Sequence, residues 1–294
     1  MSKIKTEFTD FCVVENGYNT CYMDSLFVAL FYKPSQIEDM LNNDPKNVST
    51  IYLQDLIKSR FVEPLRKHYI IEKDIINEIR NYAHICGWCE TEEFIDEQQD
   101  ISEFYNWILT EFSAKYIQYE KITMNIDMTN NIVIKEQLPF IPLYPPNNID
   151  IISIRELFIN WISDLIVPSH DTIKCYKLVN VPNYLTFLIN RFTSSGKRIY
   201  TKIDLMDQIK FFNISDKTQE NIRWKISSII CHSGDNPKSG HYFSYVLTDD
   251  GRWLLFDDMM VPSFKQIDIN KKEIKDKIML ECIFVVYLLK NPLL

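Results

Sequence analysis

The stretch that most constrains this chain runs from Asn16 to Phe31, Asn-Gly-Tyr-Asn-Thr-Cys-Tyr-Met-Asp-Ser-Leu-Phe-Val-Ala-Leu-Phe. From Met23 onward the apolar residues Met23, Leu26, Phe27, Leu30 and Phe31 fall at helical spacing, the pattern of a buried helix face. Asn16, Gly17 and Asn19 upstream are turn formers, and Thr20 is a candidate helix cap. Cys21 therefore belongs in the first turn of a helix anchored in the core. Exposed N–H groups and the helix dipole at such a position favour a thiolate, the reactive form of the side chain. A cysteine beside an apolar helix also serves as a small buried hydrophobe, so the rest of the chain must decide between the two readings.

With 294 residues, 46% of them hydrophobic, the chain can build one large domain or a core with subdomains. The net charge of −8 (40 acidic against 32 basic residues) and the lack of a Lys/Arg cluster argue against a nucleic-acid partner and suit a basic substrate. Seven irregularly spaced cysteines in a chain of this size point to reduced thiols and an intracellular site, cytoplasm or nucleus. Neither a signal peptide nor a run long enough to span a membrane is expected.

Residues 35–47 read as a loop or short helix, 50–69 and 72–84 as helices, with Gly87 a C-terminal cap for the second. An acidic stretch (Glu90, Glu92, Glu93, Asp96, Glu97) precedes Gln98-Gln99-Asp100 and an amphipathic helix marked by Ile101, Phe104, Tyr105, Ile108, Leu109 and Phe112. The texture changes after Lys115: residues 121–149 read as short strands and loops broken by prolines, and Ser153 to Ile162 as a helix with a Ser153/Glu156 capping box. Strands are predicted at Lys174–Val181, Tyr184–Phe192, Gln208–Phe212, Arg223–Cys231, His241–Leu247, Arg252–Phe256 and Glu281–Leu288. Helices followed by an antiparallel sheet make an α+β layout.

In the second informative stretch a strand is predicted to end at His232, a Gly/Ser/Pro/Asn loop to follow, and a new strand to begin at His241. Gly240 would let a substrate backbone pass close by. His241 is a candidate general base for a thiol, and such a base needs an orienting partner. Hairpin pairing through Asp249-Asp250-Gly251 would bring Asp257 or Asp258 opposite it.

Together these stretches resemble the ubiquitin-specific protease family of papain-like cysteine deubiquitinases. Asn16 to Ser25 is similar to that family's Cys box, roughly Asn-x-Gly-Asn-Thr-Cys-Tyr-Met-Asn-Ser. Gln98-Gln99-Asp100-Ile101-Ser102-Glu103-Phe104 resembles its Gln-Gln-Asp box. Tyr184 to Phe192 resembles its apolar strand ending in Arg-Phe, and Gly240-His241-Tyr242 with Trp253 to Asp258 its His box. The resemblance implies a papain-like fold over residues 1–294: a helical thumb (1–115), reduced fingers with a connecting segment (116–180) and an antiparallel-sheet palm (181–294).

It also implies a Cys21–His241–Asp257 triad and an oxyanion site formed by the Cys21 N–H and the Asn16 side chain. The implied substrate is the Gly-Gly tail of ubiquitin or another ubiquitin-like modifier, the alternative being a catalytically impaired relative that binds ubiquitin as an interaction module. Asp100 and Glu103 would hold the tail's arginines, and Gln99, Gly240, Tyr242 and Asp258 would line its path. No cofactor is implied: only Cys175 lies between Phe112 and Phe192, so a zinc site in the fingers is not expected. His84, Cys86 and Cys89 are read as structural. One departure stands out. The family's glycine three residues before the cysteine is Tyr18 here, with Gly17 one position earlier, so Tyr18 would be strained if that position needs a positive φ.

Overall fold

The computed structural model describes residues 13–45, 47–89, 97–125, 131–163, 172–210, 222–236 and 239–290. The acidic residues Glu90, Glu92, Glu93 and Asp96, the end of the Gln208–Phe212 strand, and Met1–Cys12 lie outside them. The chain forms two compact units, one of residues 1–115 and 227–281, the other of 116–226 and 282–294. The structure thus groups residues 227–281 with the N-terminal helices, where the sequence reading placed them in a palm running from 181 to 294.

In the first unit the helix Cys21–Phe31 is buried along all eleven of its residues, not on one face. Strand Ser239–Leu247 packs on it, as does helix Ile101–Glu111. Phe27 meets Phe61 at 5.3 Å and Phe104 at 5.9 Å, and Tyr22 meets Phe104 edge-on at 5.1 Å. Each such ring removed from water contributes about 1.5–3 kcal/mol, enough to hold the first turn of the helix in one place. The helical run expected at 50–69 is Val48–Leu56, a π turn at Ile57–Val62 and Glu63–Arg66. The wide turn sits just before Pro64, whose ring and missing N–H break the regular ladder. Helix Lys73–Ile85 ends in a Schellman motif, with Gly87 at φ +97°, its N–H on the His84 carbonyl and the Trp88 N–H on the Ala83 carbonyl.

Four antiparallel strands complete this unit: the later part of Arg223–Asn236, then Ser239–Leu247, Trp253–Phe256 and Phe264–Ile267. The loop predicted after His232 is instead a continuing hairpin. Ser233 pairs with His241 and Asn236 with Ser239, with the register shifting between them. Strand Phe264–Ile267 and helix Lys272–Glu281 were not expected. The helix is mostly polar and buries only Ile278 and Met279, too few to set a visible period.

The second unit holds helix Ile154–Ile162, with the predicted Ser153/Glu156 capping box in place. It also holds a three-stranded sheet of Asn131–Leu138, Ile117–Asn125 and Thr172–Leu178. Strand Tyr184–Ile189 pairs antiparallel with Cys282–Leu289 and parallel with Ile141–Leu143. Arg191, 1% exposed, donates to the Cys282 and Thr201 carbonyls, so the arginine of the Arg-Phe motif is structural. Helices and mostly antiparallel sheets give the α+β class.

Candidate active site

The site is built in the first unit, starting from the loop that enters the Cys21 helix. Val13–Val14 pairs with Ile70–Ile71, which fixes where the loop begins. At Gly17 a Cβ would lie 2.8 Å from Ile76 Cγ2 and 3.0 Å from Asn77 Oδ1, so glycine is needed for close approach to the neighbouring helix. The left-handed turn falls on the next two residues, Tyr18 at φ +73° and Asn19 at φ +55°. Asparagine tolerates this conformation; tyrosine holds it at a cost of about 1–2 kcal/mol. The strain expected at Tyr18 is therefore present, and Arg80 pins it by donating to the Tyr18 carbonyl at 2.8 Å.

Thr20 does not cap the helix through its side chain. Its hydroxyl accepts the Gly17 N–H at 3.0 Å and donates to Asp24 Oδ2 at 2.7 Å, while its carbonyl takes the N–H groups of Met23 and Asp24. Cys21 is the first helical residue and is 5% exposed. The N–H groups of Cys21 and Tyr22, ahead of those that bond the Thr20 carbonyl, have no carbonyl partner within the helix.

Opposite stands His241, with a quarter of its side chain exposed. Its Nε2 is 2.8 Å from Asp257 Oδ1. That leaves Nδ1 free to face Cys21. Burial disfavours a charged ring, but the bond to Asp257 and the influence of Cys21 outweigh it and raise the His241 pKa to about 10. Burial pulls Asp257 upward too. Against it act the His241 bond, the Met259 N–H at 3.0 Å and the charges of His241 and Lys277, and the net effect holds Asp257 below its ordinary value. The site thus favours an imidazolium held between a carboxylate and a sulfur.

Asn16 is close by, and its amide is already oriented. Oδ1 accepts the Tyr18 N–H at 2.7 Å, and Nδ2 donates to Asp258 Oδ2 at 2.8 Å. The other Nδ2 hydrogen has only the Met259 sulfur, at 3.6 Å, a weak acceptor that an anionic oxygen can replace.

The remaining expected residues divide. Asp100 and Glu103 are exposed, and burial together with the nearby Asp100 charge raises Glu103. Asp100 has a second task that the sequence reading missed: its Oδ1 caps the Ile101 helix by accepting the N–H groups of Ser102 (2.7 Å) and Glu103 (3.1 Å). Two expected substrate contacts are corrected by burial. Tyr242 is 3% exposed, its ring 4.7 Å from that of His232 at a tilt of 48°. The Asp258 side chain is fully buried and turned toward Asn16, 3.7 Å from His241 Nε2.

Gly240 is corrected as well. A Cβ there would lie 2.4 Å from the Ser233 carbonyl and from His232 Nε2, so its missing side chain is required by the hairpin itself. Gln99 Nε2 reaches the Glu97 carbonyl at 3.4 Å. It is Gln98 that reaches the hairpin, accepting the Gly240 N–H at 3.0 Å. Nothing in a Gln-Gln pair says which member points inward.

Among the described residues, His241, Asp257 and Asp258 offer ligand atoms within 4.8 Å of one another. His241 Nε2 and Asp257 Oδ1 are already bonded to each other, and Asp258 Oδ2 accepts Asn16 Nδ2, which suits proton handling better than metal binding. His84 Nδ1 bonds to the Trp88 carbonyl at 3.1 Å, in keeping with a structural reading of that segment.

The sequence model described as ubiquitin carboxyl-terminal hydrolase matches residues 12–280. Ubiquitin carboxyl-terminal hydrolase 25 of Arabidopsis thaliana is 21% identical over 295 residues, covering 84% of this chain and 44% of that protein. Ubiquitin carboxyl-terminal hydrolase creB of Emericella nidulans is 28% identical over 122 residues, 39% of this chain and 16% of that one. The chain spans less than half the length of these relatives. Among solved structures, a chain of the SAGA Ubp8/Sgf11/Sus1/Sgf73 DUB module bound to ubiquitin aldehyde superimposes with a TM-score of 0.71 at 16% identity, covering 95% of this chain and 70% of that one.

Proposed function

Because this chain belongs to the ubiquitin carboxyl-terminal hydrolase family, we propose that it is a cysteine protease that cleaves the bond after the C-terminal glycine of ubiquitin. The observation that carries the proposal is the His241 ring, its Nε2 bonded to Asp257 Oδ1 at 2.8 Å, with Cys21 near enough to raise its pKa. A thiol beside an imidazole whose far nitrogen is fixed by a carboxylate is the arrangement of an activated nucleophile.

In this reading Cys21 sulfur attacks the glycine carbonyl carbon. The oxyanion takes hydrogen bonds from the Cys21 N–H and from the Asn16 Nδ2 hydrogen that now faces Met259. His241 gives its proton to the departing amine, the carbon–nitrogen bond breaks and a thioester remains. Water then adds, His241 takes a proton from it, and the thiolate leaves. Asp257 keeps the ring in the orientation that serves both halves. Asp100 and Glu103 bind cationic side chains upstream of the scissile glycine, each well-formed pair contributing about 1.5–3 kcal/mol.

Supporting ubiquitin as substrate, the matched structural neighbour is bound to ubiquitin aldehyde. No described helix is long and apolar enough to cross a membrane. The described cysteines, Cys21, Cys86, Cys89, Cys175, Cys231 and Cys282, are free thiols, which favours a reducing intracellular compartment. The test is turnover of ubiquitin joined to a lysine peptide through an isopeptide bond, beside the same conjugate of other ubiquitin-like modifiers. Release of free ubiquitin supports the proposal; cleavage confined to another modifier moves the substrate assignment to that modifier.

A further inference from the structure

Helix Lys272–Glu281 is mostly polar, and the mechanism above gives it no part, yet one of its side chains reaches the strand that carries the imidazole. Lys277 Nζ lies over the Phe243 ring, 4.4 Å from its centre. Phe243 follows His241 by two residues on strand Ser239–Leu247, so the two side chains share one face of the sheet. Their rings are nearly parallel, with centres 6.2 Å apart and planes 22° apart, a stacked pair within the range that aromatic rings prefer. Tyr245 meets Phe243 edge-on at 5.8 Å. Phe243 is 2% exposed, so its ring sits in a packed layer.

Lysines on a protein surface commonly lay the apolar stem on a ring and send the charge into water. Here the charge itself is over the ring, where the negative face of the π system attracts it. The side chain is half exposed and is also paired with Glu281 Oε2, one turn along the helix, at 3.9 Å. The placement suits the charges of the site as well. Burial pulls Asp257 upward, and Lys277 is among the groups that outweigh it, after the His241 bond and the Met259 N–H. An ionised Asp257 only accepts, so the hydrogen between the two groups stays on His241 Nε2 and Nδ1 is left for the thiol. The other titratable groups around this pair are Cys21, Asp258 at 3.7 Å from Nε2, and Tyr245.

Resting on the protease reading, we propose that Lys277 is a positioning residue for the cleavage reaction. Its ammonium group fixes the Phe243 ring, and that ring sets the plane of the His241 imidazole, on which the bond to Asp257 and the approach to Cys21 both depend. All five residues belong to the first unit.

The experiment uses the full chain with three substitutions. Lys277→Arg keeps the cation, Lys277→Met keeps an apolar stem without charge, and Phe243→Leu keeps apolar bulk without a ring. The first measurement is the nuclear Overhauser contact between the ring protons of His241 and Phe243, and it needs no substrate. The contact is expected in the wild type and in Lys277→Arg, and reduced in Lys277→Met. An equally strong contact in Lys277→Met, or none in the wild type, overturns the proposal, whether or not the protein turns over ubiquitin. The second is steady-state cleavage of a ubiquitin C-terminal amide, with thermal unfolding beside it. Lys277→Met lowers kcat about threefold to tenfold at unchanged KM, the rate equivalent of losing one such contact, and Lys277→Arg restores most of it. In a Phe243→Leu background Lys277→Met adds little further loss. A lower unfolding temperature with unchanged kcat in Lys277→Met, no rescue by Lys277→Arg, or losses from Lys277→Met and Phe243→Leu that multiply overturn the positioning role. A wild type that keeps the ring contact but leaves ubiquitin uncut overturns the protease reading instead, and with it the role of Lys277 in that reaction.

Discussion

Gln98 Oε1 accepts the backbone N–H of Gly240 at 3.0 Å, which ties the residue leading into the Ile101 helix to the residue that precedes His241. The same side chain has Nε2 3.5 Å from His232 Nε2, so one glutamine touches both strands of the hairpin that presents the imidazole. Removing it leaves the Gly240 N–H without its acceptor and lets the end of the hairpin shift. Gln98→Ala is expected to lower kcat about tenfold while costing only about 1 kcal/mol of stability. Stopped-flow acylation alongside denaturant unfolding checks the pair of outcomes; a stability loss with unchanged acylation would restrict Gln98 to a structural part.

Asp100 has two roles that different substitutions separate. Asp100→Asn keeps a side-chain oxygen for the Ser102 and Glu103 N–H groups but removes the charge. It should retain near-native stability and raise KM for a ubiquitin substrate several-fold. Asp100→Ala should also lose about 1 kcal/mol of stability, because the helix loses its cap. An unchanged KM in both variants removes Asp100 from substrate binding.

His241 gives a pH signature. Its folded-state pKa, raised to about 10, lies above the ordinary value of 6.5. The sign follows: the folded protein holds this proton more tightly, so the stabilisation is fully present below 6.5 and is lost as the pH rises through about 10. An NMR titration of the His241 ring should show no protonation step near 6.5 in the wild type. In Asp257→Asn the step should move down, since that variant loses the carboxylate that supports the charge. A wild-type midpoint near 6.5 contradicts the imidazolium assignment.

The entry loop makes opposite expectations for adjacent residues. Gly17→Ala places a methyl group 2.8 Å from Ile76 Cγ2 in a packed interface, so about 1–3 kcal/mol and much of the activity should be lost. Tyr18→Gly releases the strain at φ +73° but adds unfolded-state freedom, so stability should change by less than about 1 kcal/mol. Thermal unfolding of the two variants side by side tests the assignment. A tolerated Gly17→Ala would contradict the close approach.

The parts of the fold and of the site that sequence reasoning located are those whose signal is local. The apolar run behind Cys21, the Gly87 cap and the Ser153/Glu156 box each depend on neighbours a few residues away. Asp257 came within reach because one short turn sets the register of a hairpin. What stayed hidden depends on contacts across long separations. The apolar spacing at the Cys21 helix suggested one buried face, but only packing reveals that every face is covered, Asp24 included. Tyr242 was expected to line the path of the substrate tail, yet strand alternation turns it inward onto His232. Gly240 was read as room for a substrate, and the room is taken by the partner strand.

Intact-mass analysis after reaction with ubiquitin carrying a C-terminal electrophile probes the meeting of Cys21 and His241 most directly. The account expects a single covalent adduct mapping to Cys21, lost in Cys21→Ala and slowed at least a hundredfold in His241→Ala. No adduct in the wild type, or one that persists when Cys21 is replaced, contradicts it.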